Sequence, residues 1–362
     1  MTTTSFSERE VPDTGASAAA DLLPSMLLPG LASPSVGRTA RRFFERLRAG
    51  LLFAAACGAA SLAWPNADYP TRPVRVVIPS PAGSSPDVIA RIWANKLGRA
   101  LGQPVVIDNR PGAATIIGAQ MVATAPADGY TFLYTVGSTT SINPAVYPKL
   151  PYRFEDFVGV VRTVTVPYVL VVSAASPFGS TAELVSAARK TPGKLNYASH
   201  GVGQTTQVVM ARFLQAADAR MTHVPYKDGG IPDLISGRVA ASFEPSTTAI
   251  PQIAAGRLRG LAVTGTGRLP VLPNVPTVAE WLPGFEANSW QGLLAPKGTP
   301  PAVIDRIAAL SQEILGSTEF QARSRELGLM PVHESPAEFQ KFMVDDARVW
   351  AKVVKDNDIR AD

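Results

Sequence analysis

Beyond residue 68 the apolar positions alternate between two rhythms. Short, nearly unbroken apolar runs occur at Val74–Pro79, Val105–Ile107, Tyr130–Val136, 168–173, 195–199, 221–226, 239–244, 258–264 and 289–295. Runs of this kind read as strands covered on both faces. Between them the apolar spacing follows the helical period, first over Asp87–Leu101, with residues 88, 89, 92, 93, 97 and 101 on one side, and then over Ala113–Ala125. It recurs near 180–190, 204–217, 229–236 and 247–256. Strands alternating with amphipathic helices predict an α/β protein built on parallel sheets. About ten strands is large for one sheet, so two lobes are expected. Residues 159–172 and 285–297 are then candidate crossovers. Lobe one is expected over 68–165, lobe two over 166–288, with 289–362 returning to lobe one. That last part reads as helical at Pro301–Leu315 and Pro336–Lys355, around a short extended piece at 329–332. Phe339, Phe342, Met343, Trp350, Val353 and Val354 form one stripe, which reads as packing against a sheet.

The first 67 residues read differently. Arg38, Arg41, Arg42, Arg46 and Arg48 precede an apolar run, Ala49–Ala63, too short to span a bilayer comfortably. A basic flank, a short apolar segment and small residues after it describe a secretory signal peptide with an extended leading region, removed or disordered in the mature protein. Cleavage is expected after Ala63 or Ala67. Arg41-Arg42 before Phe43-Phe44 fits a twin-arginine export signal, and an ordinary Sec signal fits as well. Cys57, in a degenerate lipobox with Ala54 where a larger aliphatic residue is usual, offers a lipid-anchored alternative, and Met26 an alternative start. Either export route predicts a periplasmic protein. The single cysteine excludes an intramolecular disulfide framework and cysteine-based zinc clusters, and three histidines argue against a multi-histidine metal site. A net charge of +5, spread along the chain, leaves no nucleic-acid footprint.

Two strand–loop–helix elements carry the candidate chemistry. In the first, Ser80, Ala82, Gly83, Ser84, Ser85 and Asp87 surround a turn that opens a helix, with Ser85 expected as N-cap, Pro86 as N1 and Asp87 as N2. In the second, Ser199, His200, Gly201, Gly203, Thr205 and Thr206 repeat the arrangement. Its glycines permit positive φ, so that successive N–H groups can converge on an anion. A helix N-terminus adds unpaired N–H groups and the positive end of the macrodipole. Glycine and serine also serve simply to make such turns, and Asp87 serves as a capping residue. Having both loops, in different lobes, favours binding of a dicarboxylate, or of a carboxylate and a carbonyl. Ser138 and Thr139, after the third strand, are candidates for a polar wall, and Glu244 for reaching the cleft. His223 reads as a structural histidine. No Walker A sequence, G-x-S-x-G elbow or H-E-x-x-H motif is present, and Gly201-x-Gly203 is followed by Thr206 where a dinucleotide loop needs its third glycine.

Many ordered segments together carry a family resemblance. They are YPTRPVRVVIP from Tyr69, GQPVVIDNRPG from Gly102, ADGY from Ala127, INPAVYPKLP from Ile142 and PGKLNYAS from Pro192. HVPYK from His223, GLAVT from Gly260, LPNVPTV from Leu272 and GLLAP from Gly292 continue the series. Over essentially all of 69–362 the chain resembles the Bug receptors, the periplasmic substrate-binding proteins of tripartite tricarboxylate transporters. The resemblance implies a two-lobed, type II periplasmic-binding-protein (Venus-flytrap) fold without catalysis, cofactor or metal. It implies a small carboxylate as ligand, the transporter's membrane subunits as partner, and a monomer. The family's two ligand loops fall on 80–87 and 199–206. Several positions depart from the family pattern. Ser80 replaces an aromatic residue, Ser84-Ser85 replace glycines and Pro86 replaces a hydroxyl residue, while Asp87 is retained. Gln204 replaces a small residue, Glu244 stands where Asp is frequent, and Gln291 follows Trp290 where an aromatic is common. These changes favour a smaller or hydroxylated acid. A receptor signalling to a sensor partner and an enzyme on a Rossmann-like sheet are the alternatives.

Overall fold

A computed structural model describes residues 69–361. The expected export signal, its expected cleavage sites and Cys57 lie outside the described residues. The chain opens with β1 (Val74–Ile78), α1 (Ser85–Leu101), β2 (Val105–Asn109), α2 (Ile116–Ala123) and β3 (Thr131–Val136). Two four-residue helices follow, α3 (Ser138–Ser141) and α4 (Asn143–Val146). Then come β4 (Phe157–Val166), β5 (Tyr168–Ser173), α5 (Thr181–Lys190), β6 (Asn196–Ser199), α6 (Thr205–Ala216) and β7 (Thr222–Pro225). The chain continues through α7 (Ile231–Ile235), β8 (Ala241–Pro245), α8 (Ser246–Ala254), β9 (Leu258–Val263) and β10 (Ser289–Pro296). It ends with α9 (Pro301–Gly316), α10 (Thr318–Glu326), β11 (Met330–Pro331) and α11 (Pro336–Asp356).

The strands form two sheets, one of six in the order β11-β4-β10-β3-β1-β2 and one of five in the order β7-β6-β8-β5-β9. Both are mixed, which corrects the expectation of parallel sheets. β1 pairs parallel with β2 and β3, and β6 with β7 and β8. The strands that break the pattern are tied to the crossings. β4 runs into β5 through Pro167, which has no N–H to extend either ladder. β10 brings the chain back and therefore lies antiparallel to β4. β5 is likewise antiparallel to β8 and β9.

β5 shows why an unbroken apolar run is needed. Val169 and Val171 enter the core beneath α7 and α8, while Leu170 and Val172 enter the core beneath α5 and α6. The stripe on α11 divides in the same way. Phe339 and Met343 pack with Val77, Leu133 and Trp290 of the first sheet, whereas Trp350, Val353 and Val354 join the core that holds Phe213 of α6 and Phe243 of the second sheet. α4 also crosses over, burying Ile142 and Val146 in the second sheet's core. The segment after Gly137 is thus helical, and α10 is a separate helix in the C-terminal part that reads as helical outside 329–332. Among the described residues, no helix is long and apolar enough to cross a membrane.

Candidate functional site

The first loop is held from behind. Asp87 is buried, and its carboxylate accepts the Gly83 N–H at 2.8 Å, Arg91 Nε at 2.9 Å and Asn109 Nδ2 at 2.9 Å. Burial pushes its pKa up, but the Arg91 guanidinium, the Gly83 N–H and Asn109 outweigh this and hold the carboxyl below its ordinary value. Asn109 also donates to the Ser80 carbonyl at 3.0 Å, so β2 fixes the loop on β1. The N-cap is Ser84 rather than Ser85, which moves the expected cap by one position. Ser84 Oγ donates to the Pro81 carbonyl at 2.6 Å, and Ser85 Oγ accepts Gln291 Nε2 at 2.8 Å. Gln291 sits on the returning strand β10, so this bond fixes the start of α1 to a crossover.

The second loop is braced internally. Gly203 N–H donates to Gln207 Oε1 at 2.7 Å, and Gly201 N–H to Ser199 Oγ at 3.1 Å. Both glycine N–H groups are therefore committed within the loop, and the expected convergence of them on an anion is not what the geometry provides. Thr206 Oγ1 accepts the His200 N–H at 2.9 Å. Behind His200 lies Glu244, fully buried, with Oε2 at 2.9 Å from His200 Nε2 and Oε1 accepting Ser242 Oγ at 2.6 Å. Burial alone would push the His200 pKa down. The hydrogen bond and charge of Glu244, with the charge of Asp228, outweigh it and raise the imidazole above its ordinary value.

These loops meet at a cavity of about 180 Å³ between the two sheets. The first sheet contributes Ser80, Ser85, Pro86, Thr115, Val136 and Ser138, and the second contributes Tyr168, His200, Gln204, Thr205, Thr206 and Pro245. Val166, Ser289 and Gln291 of the crossovers complete it. Of the predicted residues, Ser80, Ser85, Ser138, His200, Thr205 and Thr206 are brought together here. Ala82, Gly83, Ser84, Asp87, Thr139, Ser199, Gly201, Gly203 and Glu244 stand outside the lining. Ala82 and Gly83 point to solvent, and Asp87, Ser199 and Glu244 hold the loops from beneath. Thr139 Oγ1 is turned to Thr115 at 2.8 Å and Thr135 at 2.6 Å.

The geometry adds residues that sequence reasoning missed. Thr115 is aimed inward by three successive non-glycine residues in the left-handed region, Ala113, Ala114 and Thr115, at φ of 44°, 54° and 78°. Asn143 Nδ2 holds that turn through the Ala114 carbonyl at 2.7 Å. Tyr168 opens the crossover strand β5, and burial pushes its hydroxyl up to about 12 despite bonds to Ser289 and Thr205, so it remains a neutral donor. A usable signal existed for Tyr168 and Ser289, while Gln291 already stood out as a departure from the family pattern. A strand joining two lobes must pass the cleft between them, so its midpoint is a lining position. For Thr115 no sequence signal existed.

The lining therefore offers hydroxyls, two carboxamides and one imidazole, without an acidic side chain. Ser85 and Thr205 are the first residues of α1 and α6, so two helices of 17 and 12 residues begin at the cavity from opposite sheets. Their first N–H groups have no partner within the helix. Among the described residues no group of His, Cys, Asp and Glu could hold a metal ion.

Two α/β sheets joined by crossover strands, with a polar cavity where they meet, define a two-lobed periplasmic binding protein. Residues 89–359 match the family described as "Tripartite tricarboxylate transporter family receptor". The chain is 35% identical over 293 residues to protein BugT of Bordetella pertussis, covering 80% of this chain and 90% of that protein. It is similar to an R. palustris protein solved with adipate, at 36% identity and a TM-score of 0.75, covering 81% of this chain and 100% of the other. It is also similar to MatC of Rhodopseudomonas palustris with bound malate, at 28% identity and a TM-score of 0.71, covering 79% and 100%. The chain belongs to the tripartite tricarboxylate transporter receptor family, the Bug family of solute-binding receptors.

Proposed function

We propose that this protein is an exported, monomeric receptor that closes around a small carboxylate and presents it to the membrane subunits of a tripartite transporter, without catalysing a reaction. One observation carries the reading. Two helix N-termini from opposite sheets reach one hydroxyl-lined cavity with no acidic side chain among its lining residues. Such ends carry partial positive charge and free N–H donors, which favour a carboxylate at each. Hydrogen bonds from these groups to a charged acid each contribute about 1.5–3 kcal/mol. The adipate and malate held by its relatives support the same ligand class. We assign 68–165 with 289–362 to one lobe and 166–288 to the other, so that closure is a movement about Pro167 and the start of β10. The buried Ser199, bonded to His223, serves the loop and not a substrate.

A thermal-shift screen of the protein against short dicarboxylates, hydroxy acids and their methyl esters tests the proposal. Free acids of a few carbons are expected to raise Tm and the esters to have no effect. Stabilisation by bulky apolar acids alone, or by esters equally, would overturn it.

A further inference from the structure

The hydrogen bonds around the second loop can be given a direction at every step. Gly203 N–H donates to Gln207 Oε1 at 2.7 Å, which fixes the carboxamide and turns its nitrogen to His223 Nδ1 at 3.1 Å. That ring nitrogen must accept, so the neutral imidazole carries its proton on Nε2 and donates it to Ser199 Oγ at 2.6 Å. Ser199 in turn donates to the Gly201 carbonyl at 3.1 Å and accepts the Gly201 N–H at 3.1 Å. The relay runs from one loop glycine to the other, and each bond in it has one direction compatible with the rest. It leaves no acceptor for a second proton on the ring.

We propose that Gln207 and His223 are positioning residues that lock the glycine loop of the cavity, and that adding a proton to His223 unlocks it and lowers affinity for the ligand. The inference rests on the carboxylate reading for its binding arm and on the relay alone for its structural arm. A protonated ring presents N–H at both nitrogens, so Gln207 Nε2 meets a donor. If the carboxamide turns over to accept it, the Gly203 N–H loses its own acceptor. Either way a part-buried donor is orphaned at the position that shapes the loop. The surroundings of His223 do not offset this. Tyr197 of β6 stacks on the ring with centroids 5.1 Å apart, and Gln207 of α6 is uncharged. Burial is the sole influence on the ring and lowers its pKa, with no charged side chain among the described residues acting on it. His200, across the loop, titrates on the opposite side of the ordinary value because Glu244 and Asp228 raise it. The two histidines therefore act in separate pH ranges.

The test uses the full chain with its histidines labelled for NMR, and malate and adipate as calorimetric probes. His223 is expected as the Nε2–H tautomer at pH 7.5, with the protection of the Gly203 amide, measured against its intrinsic base-catalysed exchange rate, falling as pH falls through a value below the ordinary 6.5 of histidine. Probe affinity is expected to fall about tenfold over that same range. Gln207→Glu supplies a carboxylate that accepts from Gly203 and from a protonated ring together. In this variant acidification is expected to raise the protection of the Gly203 amide and tighten binding, the reverse of the wild-type sign. A purely structural role for Gln207 cannot reverse the sign. An Nδ1–H tautomer, or the same pH slope in Gln207→Glu as in wild type, would overturn the proposal. If neither acid binds at any pH while tautomer and exchange behave as stated, the lock stands and the carboxylate reading fails.

Discussion

Gly203 offers a quantitative test of how the second loop is seated. Its φ is +73°, and a Cβ there would lie 2.5 Å from Val146 Cγ1. Val146 belongs to α4 and is buried in the core of the second sheet, so its methyl cannot simply swing into solvent. In Gly203→Ala the left-handed backbone costs about 1–2 kcal/mol, and forcing a methyl into a packed contact costs about 1–3 kcal/mol more. Alanine also reduces the freedom of the unfolded chain, which returns about 0.4–1 kcal/mol. The net expectation is a loss of about 1–4.5 kcal/mol in stability. The two contributions separate in a double-mutant cycle, because Val146→Ala removes the clash and leaves the backbone term. Urea unfolding of both single variants and the double variant should give a favourable coupling of about 1–3 kcal/mol, with the backbone cost persisting. Gly203→Ala within about 0.5 kcal/mol of wild type, or a coupling near zero, would refute the seating of the loop against α4.

Further expectations follow from the carboxylates behind the loops and beneath the returning strand. Asp87→Ala removes the acceptor shared by Gly83, Arg91 and Asn109, and should lower stability by about 2 kcal/mol in urea unfolding. Because the folded-state pKa of Asp87 is depressed, its contribution is present above the ordinary carboxylate pKa and lost as pH falls through the folded value. Asp87→Asn should therefore flatten the acid limb of a Tm–pH profile. Asp346 accepts Ser141 Oγ at 2.5 Å and the Trp290 and Trp350 indoles at 2.9 Å each, so Asp346→Ala should cost about 2–4 kcal/mol. A loss under about 1 kcal/mol would mean that water replaces the carboxylate. The raised pKa of His200 makes its contribution fully present below the ordinary 6.5 and lost as pH rises through the folded value. Glu244→Gln should abolish that alkaline loss and move the His200 titration, followed by NMR, to lower pH.

Much of the fold was legible because its information is local. The strands at 168–173 and 258–264 and the helices at 180–190 and 204–217 lie close to β5, β9, α5 and α6. Strand direction was not legible. The extended stretches at 159–172 and 285–297 were marked as candidate crossovers, but an apolar run carries no information on whether a strand runs parallel or antiparallel to its neighbours. Helix α11 misled for a related reason. Its single stripe serves two different cores, and a period reports only that a face is buried, not against what. At the site, the turn residues pointed to two loops that meet at the cavity, but not to which of their atoms line it. Serines 80 and 85 and threonines 205 and 206 line the cavity, while the glycines and Asp87 shape the loops from outside it. Which hydroxyl faces a ligand depends on whether a neighbour has already engaged it. Thr139, spent on Thr115 and Thr135, shows this, since it differs from Ser138 by one position and one methyl.

The absence of Arg and Lys from the lining bears on how such a receptor lets go. A guanidinium forked onto a carboxylate keeps most of its hold whether or not a second lobe closes over the ligand. Here each sheet supplies one helix end with neutral hydroxyls and carboxamides, the second adds the His200 imidazole, and neither carries a guanidinium or an ammonium group. A dipole's attraction falls off within about a turn of the helix and is strong only where water is excluded. On the proposed reading, both conditions are met only when the lobes are closed, so opening weakens both ends of the grip together. The bond from Gln291 to Ser85 ties one helix end to the returning crossover itself, at the point where the lobes must move. Ligand affinity and lobe angle are in that case one variable, which suits a protein whose task is to surrender what it carries.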